Sequence, residues 1–110
     1  MQYAELTGEI PSIVDVIRKA VDCERIYLFG SNSGGQPDEA SDLDFYVVLP
    51  NGSARPLEAR QRIYRNLSAL KREKPVDIIA NYESVFNEMS RLPTMERQIV
   101  QTGILLYERG

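Results

Sequence analysis

The sequence predicts a small α/β or α+β domain in which helices pack on a short sheet. Two observations carry that expectation. Helix-spaced apolar stretches are interleaved with short runs of strand-type residues along the whole chain. At 110 residues the chain is long enough for one hydrophobic core and too short for two, so residues 1–110 read as a single domain.

Each element has its own signal. Ile10, Ile13, Val14, Ile17 and Val21 recur at helical spacing, so 10–22 reads as a helix. Pro11 suits its first turn, and Ser12 with Asp15 fits a capping box. Arg25–Phe29 reads as a strand running into the polar, glycine-rich stretch 30–38. A second strand is expected from about Asp42 to Leu49, stopped by Pro50-Asn51-Gly52-Ser53. Leu57, Ile63, Tyr64, Leu67 and Leu70 mark a helix over 56–72. Val76–Ala80 is a third strand and 83–89 a short helix. A last helix spans 93–102, with Met95, Ile99 and Val100 inward and Gly103 as its C-cap; Ile104–Tyr107 ends the pattern as an extended segment.

Composition narrows the chemistry. The chain has no His and no Trp, and one Cys, Cys23. A Ser-His-Asp triad, a Cys-His pair, a His/Cys zinc site and an internal disulfide are therefore excluded for this sequence. Cys23 lies among apolar residues and reads as a packed thiol in a reducing compartment. Carboxylates, hydroxyls, backbone N–H groups and Lys/Arg remain, a set suited to hard cations and phosphate. No stretch has the form of a signal peptide or the apolar length of a membrane span, so the expected location is the cytoplasm.

The informative stretch is Leu28-Phe29-Gly30-Ser31, then ten residues, then Asp42-Leu43-Asp44-Phe45-Tyr46-Val47-Val48. Alternate residues of a strand share a face, so Asp42 and Asp44 project together while Leu43, Phe45 and Val47 face the core. Side-by-side carboxylates repel, and a divalent cation is the simplest remedy; Mg²⁺ suits a few carboxylates plus phosphate oxygens. Asp77, an acid near the start of an apolar strand, completes a three-carboxylate cluster if its strand lies beside that of Asp44. Such a cluster can hold two metals, and Asp77 could also act as a base. The Gly30-Ser31 turn supplies N–H groups and a hydroxyl for phosphate oxygens. No P-loop, dinucleotide fingerprint or EF-hand is present.

Gly-Ser, ten residues and Asp-x-Asp, placed strand–loop–strand, resemble the nucleotidyltransferases of the DNA polymerase β superfamily. The short chain, the leading helix and the ending Gly103-Ile104-Leu105-Leu106-Tyr107 resemble its minimal members. The resemblance covers nearly the whole chain. It implies a mixed sheet with helices mainly on one face and an NTP held by Gly30 and Ser31. It further implies Mg²⁺ on Asp42 and Asp44, and Asp77 as the third catalytic and metal-binding carboxylate. Some minimal members are antitoxins that transfer AMP from ATP to a tyrosine of a partner HEPN toxin, so a HEPN-domain protein is the expected partner.

The sequence departs from the family in one respect. Where members often carry Gly-Ser-Arg-Ala-Arg-Gly, this chain reads Gly30-Ser31-Asn32-Ser33-Gly34-Gly35, without either arginine. Weaker nucleotide binding, or a module that neutralises its partner by binding alone, is the alternative reading. A small-molecule, antibiotic-type nucleotidyltransferase is a further one, disfavoured because such enzymes usually carry an extra helical domain. Basic charge is concentrated between Arg55 and Lys74, where seven Lys/Arg stand against two Glu, a net of +5 against −8 elsewhere. That segment reads as a solvated helix face or as a surface for phosphate, RNA or an acidic protein; without interleaved aromatics, direct nucleic-acid binding is not indicated.

Overall fold

The computed structural model describes residues 9–30, 43–70 and 75–109. In chain order it forms α1 (Ile10–Ala20), β1 (Arg25–Phe29), β2 (Leu43–Leu49), α2 (Pro56–Leu67), β3 (Val76–Tyr82), α3 (Glu83–Met89), α4 (Met95–Thr102) and β4 (Ile104–Glu108). All eight expected elements are present. Several details differ from the sequence expectation. Helix α1 begins at Ile10 behind Glu9, which makes no side-chain cap, so Ser12 and Asp15 lie inside the helix and form no capping box. The chain leaves the helix at Val21, whose backbone is extended. Helix α2 ends at Leu67 rather than near 72.

The four strands form one mixed sheet in the order β3-β2-β1-β4. Strand β1 runs antiparallel to both neighbours, and β2 pairs in parallel with β3. Parallel neighbours need a crossover, and α2 provides it. One face of the sheet carries Ile26, Leu28, Phe45, Val47, Ile78 and Leu106, packed under α1 and α2 through Ile13, Ile17, Ala59, Ile63 and Leu67. Burial of these side chains drives the assembly of the longer helices onto the sheet. The other face carries Tyr27, Tyr46 and Val48, covered by Phe86 of α3 and Ile99 of α4. Tyr27 stacks on Phe86 at 5.4 Å between ring centroids, and Tyr46 meets the same ring edge-on at 5.0 Å.

Three apolar assignments fail. Leu57 is 63% exposed, because α2 buries the Ala59–Ile63–Leu67 stripe instead. Met95 and Val100 are also exposed, because α4 turns Glu96 and Ile99 inward. Gly103 is the C-cap of α4, but with a φ of −75° rather than a left-handed one. Its small size matters there: a Cβ would sit 2.7 Å from the Ile99 carbonyl oxygen.

Both sheet edges are guarded. On β3, the Ile78 N–H donates to the Tyr64 hydroxyl at 2.8 Å, and Arg60 Nε donates to the Ile78 carbonyl at 2.9 Å. On β4, a bulge interrupts the pairing with β1 between Ile26 and Tyr27. Side-chain caps and bulges both oppose the addition of a foreign strand.

Candidate functional site

The site forms where β1 ends and β2 and β3 begin. Phe29 pairs with Asp44 across the antiparallel ladder, and Asp44 pairs with Asp77 across the parallel one. Directly paired residues share a face, so Asp44 and Asp77 stand side by side, roughly one strand spacing (~4.8 Å) apart at the backbone. That face is the one carrying Tyr46 and Phe86. Asp44 is half-buried and Asp77 is exposed. Leu43, Phe45 and Val47 point the other way into the core, as the strand period demands.

Gly30 joins the same corner. Its φ is +82°, a conformation that favours glycine, and a Cβ there would lie 2.5 Å from Asp44 Oδ2. The turn backbone and the carboxylate are thus in direct contact, which no larger residue would permit. Ser31 and Asp42 lie outside the described residues. Among the described residues no group of three His, Cys, Asp or Glu side chains is placed to hold a metal ion. The donors that are described, two carboxylates in register on one face with no imidazole or thiolate beside them, fit a hard, oxygen-ligated cation such as Mg²⁺.

Behind Asp44 on the same face lies a polar pair that the sequence did not announce. The Tyr46 hydroxyl, fully buried, donates to Glu96 Oε2 at 2.9 Å. Burial and this hydrogen bond push the tyrosine hydroxyl well above its ordinary value, so it stays protonated. Glu96 is 9% exposed and lies in the first turn of α4, where the helix N-terminus favours negative charge. Thr94 caps that end by accepting from the Arg97 N–H. One signal was available: Tyr46 sits in a strand apolar on both faces, and a buried tyrosine hydroxyl demands a partner.

Two other sequence features find their places. Arg60 is committed to the edge of β3, whereas Arg62 and Arg65 are exposed on α2. Cys23 is buried at the opposite end of β1, and burial pushes its thiol up to about 12, which suits packing and not nucleophilic attack. No helix among the described residues is long and apolar enough to cross a membrane.

Residues 12–110 match the family model described as polymerase beta, nucleotidyltransferase. The chain belongs to this family. No curated protein matches the sequence significantly. Among solved structures, the nucleotidyltransferase chain is similar to a Sulfolobus solfataricus protein assigned as a nucleotidyltransferase. Identity is 22% over 89% of this chain and 76% of that one, with a TM-score of 0.58. It is similar to a chain of the MntA-HpeT toxin–antitoxin carrying two Asp→Glu changes, at 22% identity over 94% and 75% of the two chains and a TM-score of 0.59. It is also similar to a chain of a toxin–antitoxin structure with AMP-PNP, at 25% identity over 90% and 73% and a TM-score of 0.60. The TM-scores of 0.58–0.60 show that the likeness to these proteins is one of fold.

Proposed function

We propose that this nucleotidyltransferase transfers AMP from ATP, with Mg²⁺, to a hydroxyl of a partner HEPN toxin and so acts as its antitoxin. The observation that carries the proposal is the corner itself: Asp44 in register with Asp77, and its carboxylate against the backbone of Gly30. Support also comes from the toxin–antitoxin structures, one of them with AMP-PNP, on which the fold superposes.

In this reading Gly30 and Ser31 receive the phosphates through N–H groups and the serine hydroxyl. Asp42, Asp44 and Asp77 would hold the metal. Magnesium, when bound there, offsets the carboxylate charge and the charge that develops on the phosphates. Asp77, the more exposed carboxylate, takes the proton of the acceptor hydroxyl. The acceptor oxygen bonds to the α-phosphorus as its bond to the pyrophosphate oxygen breaks. Positioning and electrostatics supply most of the rate. A protein acceptor is favoured by the likeness to chains of toxin–antitoxin structures.

The test uses ATP labelled in its α-phosphate, Mg²⁺ and, as candidate toxin, the product of the gene next to this one. Label should appear on the toxin and vanish with Asp42→Ala plus Asp44→Ala. Absence of transfer by the native protein overturns the proposal. A second reading, neutralisation by binding alone, draws on Asn32 and Gly34 standing where relatives often carry arginines. Full protection of cells by the double Asp→Ala variant would establish it instead.

A further inference from the structure

Asp77 lies on β3, the outermost strand on its side of the sheet. Its carboxylate is exposed and takes no hydrogen bond from another described residue, so the backbone of β3 sets its place. In a parallel ladder, alternate residues turn their N–H and C=O toward the partner strand. The Pro75 carbonyl accepts from the Leu43 N–H at 2.9 Å. Asp77, next but one in the chain, therefore faces β2 as well, and Ile78 faces the open edge. There it meets α2. Arg60 and Tyr64 lie one turn apart on that helix, the guanidinium 5.9 Å from the ring centroid. The Ile78 N–H donates to the Tyr64 hydroxyl at 2.8 Å, and Arg60 Nε donates to the Ile78 carbonyl at 2.9 Å. The peptide unit joining Asp77 to Ile78 is thus held on both sides, its carbonyl by β2 and its N–H by α2. No side chain of a described residue bonds the backbone of Val76 or Ala80, which face the same edge. The double clamp falls on the residue next to the carboxylate.

We propose that Tyr64 and Arg60 are positioning residues for the transfer: by holding the Ile78 backbone from the open edge, they aim the Asp77 carboxylate at the acceptor hydroxyl. The inference rests on the nucleotidyl-transfer reading and names the groups that place its base. A strand bonded on one side alone opens more readily than one held on both. A misplacement of about 1 Å at a reacting group can lower a rate about 10²-fold. Gly30, at the phosphate end of the site, lies at the end of β1, on the far side of β2 from Asp77. Loosening β3 should therefore reduce kcat and spare the KM for ATP.

The experiment pairs labelled transfer by the full chain with amide hydrogen exchange at Ile78, followed by NMR. Tyr64→Phe removes the accepting oxygen and keeps the ring that packs on the core. It should speed Ile78 exchange about tenfold or more. It should lower kcat about tenfold and change the KM for ATP by less than about twofold. Arg60→Met should lower kcat about threefold, and Arg60→Lys, which keeps a donor, should restore most of that loss. In an Asp77→Ala chain, Tyr64→Phe should bring no further loss, because its effect passes through that carboxylate. Ile63→Ala, a buried neighbour on α2 outside the clamp, should destabilise the protein and leave kcat per folded molecule unchanged. A native kcat in Tyr64→Phe overturns the positioning role and leaves the transfer reading standing. Unaltered Ile78 exchange in that variant overturns it too, as does an equal fractional loss with and without Asp77. Absence of transfer by the native protein overturns the transfer reading and this role with it.

Discussion

The two faces of the sheet are built from different materials. Under α1 and α2 the interface is mostly aliphatic, from Ile13 and Ile17 through Phe45 and Val47 to Ile63 and Leu67. Under α3 and α4 it is aromatic and threaded with polar contacts. Tyr27 and Tyr46 share Phe86, Tyr46 holds Glu96, and Arg25 reaches from β1 to Asn87 at 2.9 Å and to Glu83 at 3.7 Å. Among the described residues, the second face carries the paired carboxylates Asp44 and Asp77 at its Gly30 end. The larger core lies on one face and the candidate site on the other, joined through strands whose alternate residues serve both.

The sharpest way to separate the faces is to break the chemistry alone. Asp77→Ala, at an exposed position, should lower transfer by about 10²–10⁴-fold with little change in melting temperature, checked by labelled transfer beside calorimetry. The converse change is Ile63→Ala, which empties part of the aliphatic face. It should cost about 2–5 kcal/mol in denaturant unfolding while leaving the rate per folded molecule unchanged. If Ile63→Ala damaged both equally, the division between the faces would fail.

A smaller effect is expected at the polar pair. Tyr46→Phe strands the Glu96 carboxylate and should cost about 1–3 kcal/mol, part of which Tyr46→Phe with Glu96→Gln should recover because the neutral amide is cheaper to bury. A double-mutant cycle by urea unfolding measures it. At the hinge between the faces, Gly30→Ala sets a Cβ against Asp44 in a backbone conformation that disfavours it. A loss of about 1–2 kcal/mol should accompany weakened triphosphate binding.

The mildest test concerns the buried thiol. The Cys23 value is raised by the fold from 9.0 to about 12, so its contribution to stability is complete below pH 9 and is lost as pH rises towards 12. Melting temperature should therefore fall more steeply over that window in the native protein than in Cys23→Ala. Equal slopes would mean that the thiol is not shielded from the alkaline solution.

Much of this division was legible in the sequence. The alternation around Asp44 told which side of β2 is core, and the apolar run after Asp77 told that β3 is a neighbouring strand. The Gly-Ser and Asp-x-Asp spacing implies that Gly30 meets Asp44, and those two are in contact, while Ser31 and Asp42 lie outside the described residues. Three things were not legible. Ser12 and Asp15 form a convincing capping pattern, but Ile10 is drawn into the core and starts the helix earlier. Leu57 fits the stripe of α2 by type, yet it lies two residues, about 200° around the helix, from Ala59 and so off the buried face. In α4 the apolar residues Met95 and Val100 face outward while a glutamate faces inward, because Tyr46 on a different element supplies the hydrogen bond that makes burial of the carboxylate tolerable. Tertiary partners decide such positions, and periodicity within one helix cannot name them.

The parallel pairing of β2 with β3 also has a kinetic side. Asp44 and Asp77 meet only after α2 has closed the crossover between their strands, a contact between residues distant in sequence and therefore slow to form. The antiparallel ladder of β1 with β2 requires no such closure. During synthesis the Gly30–Asp44 half of the corner is thus free to assemble while Asp77 is still unplaced. A chain emerging from the ribosome therefore sets Asp77 beside Asp44 late, with completion of the fold and not before it.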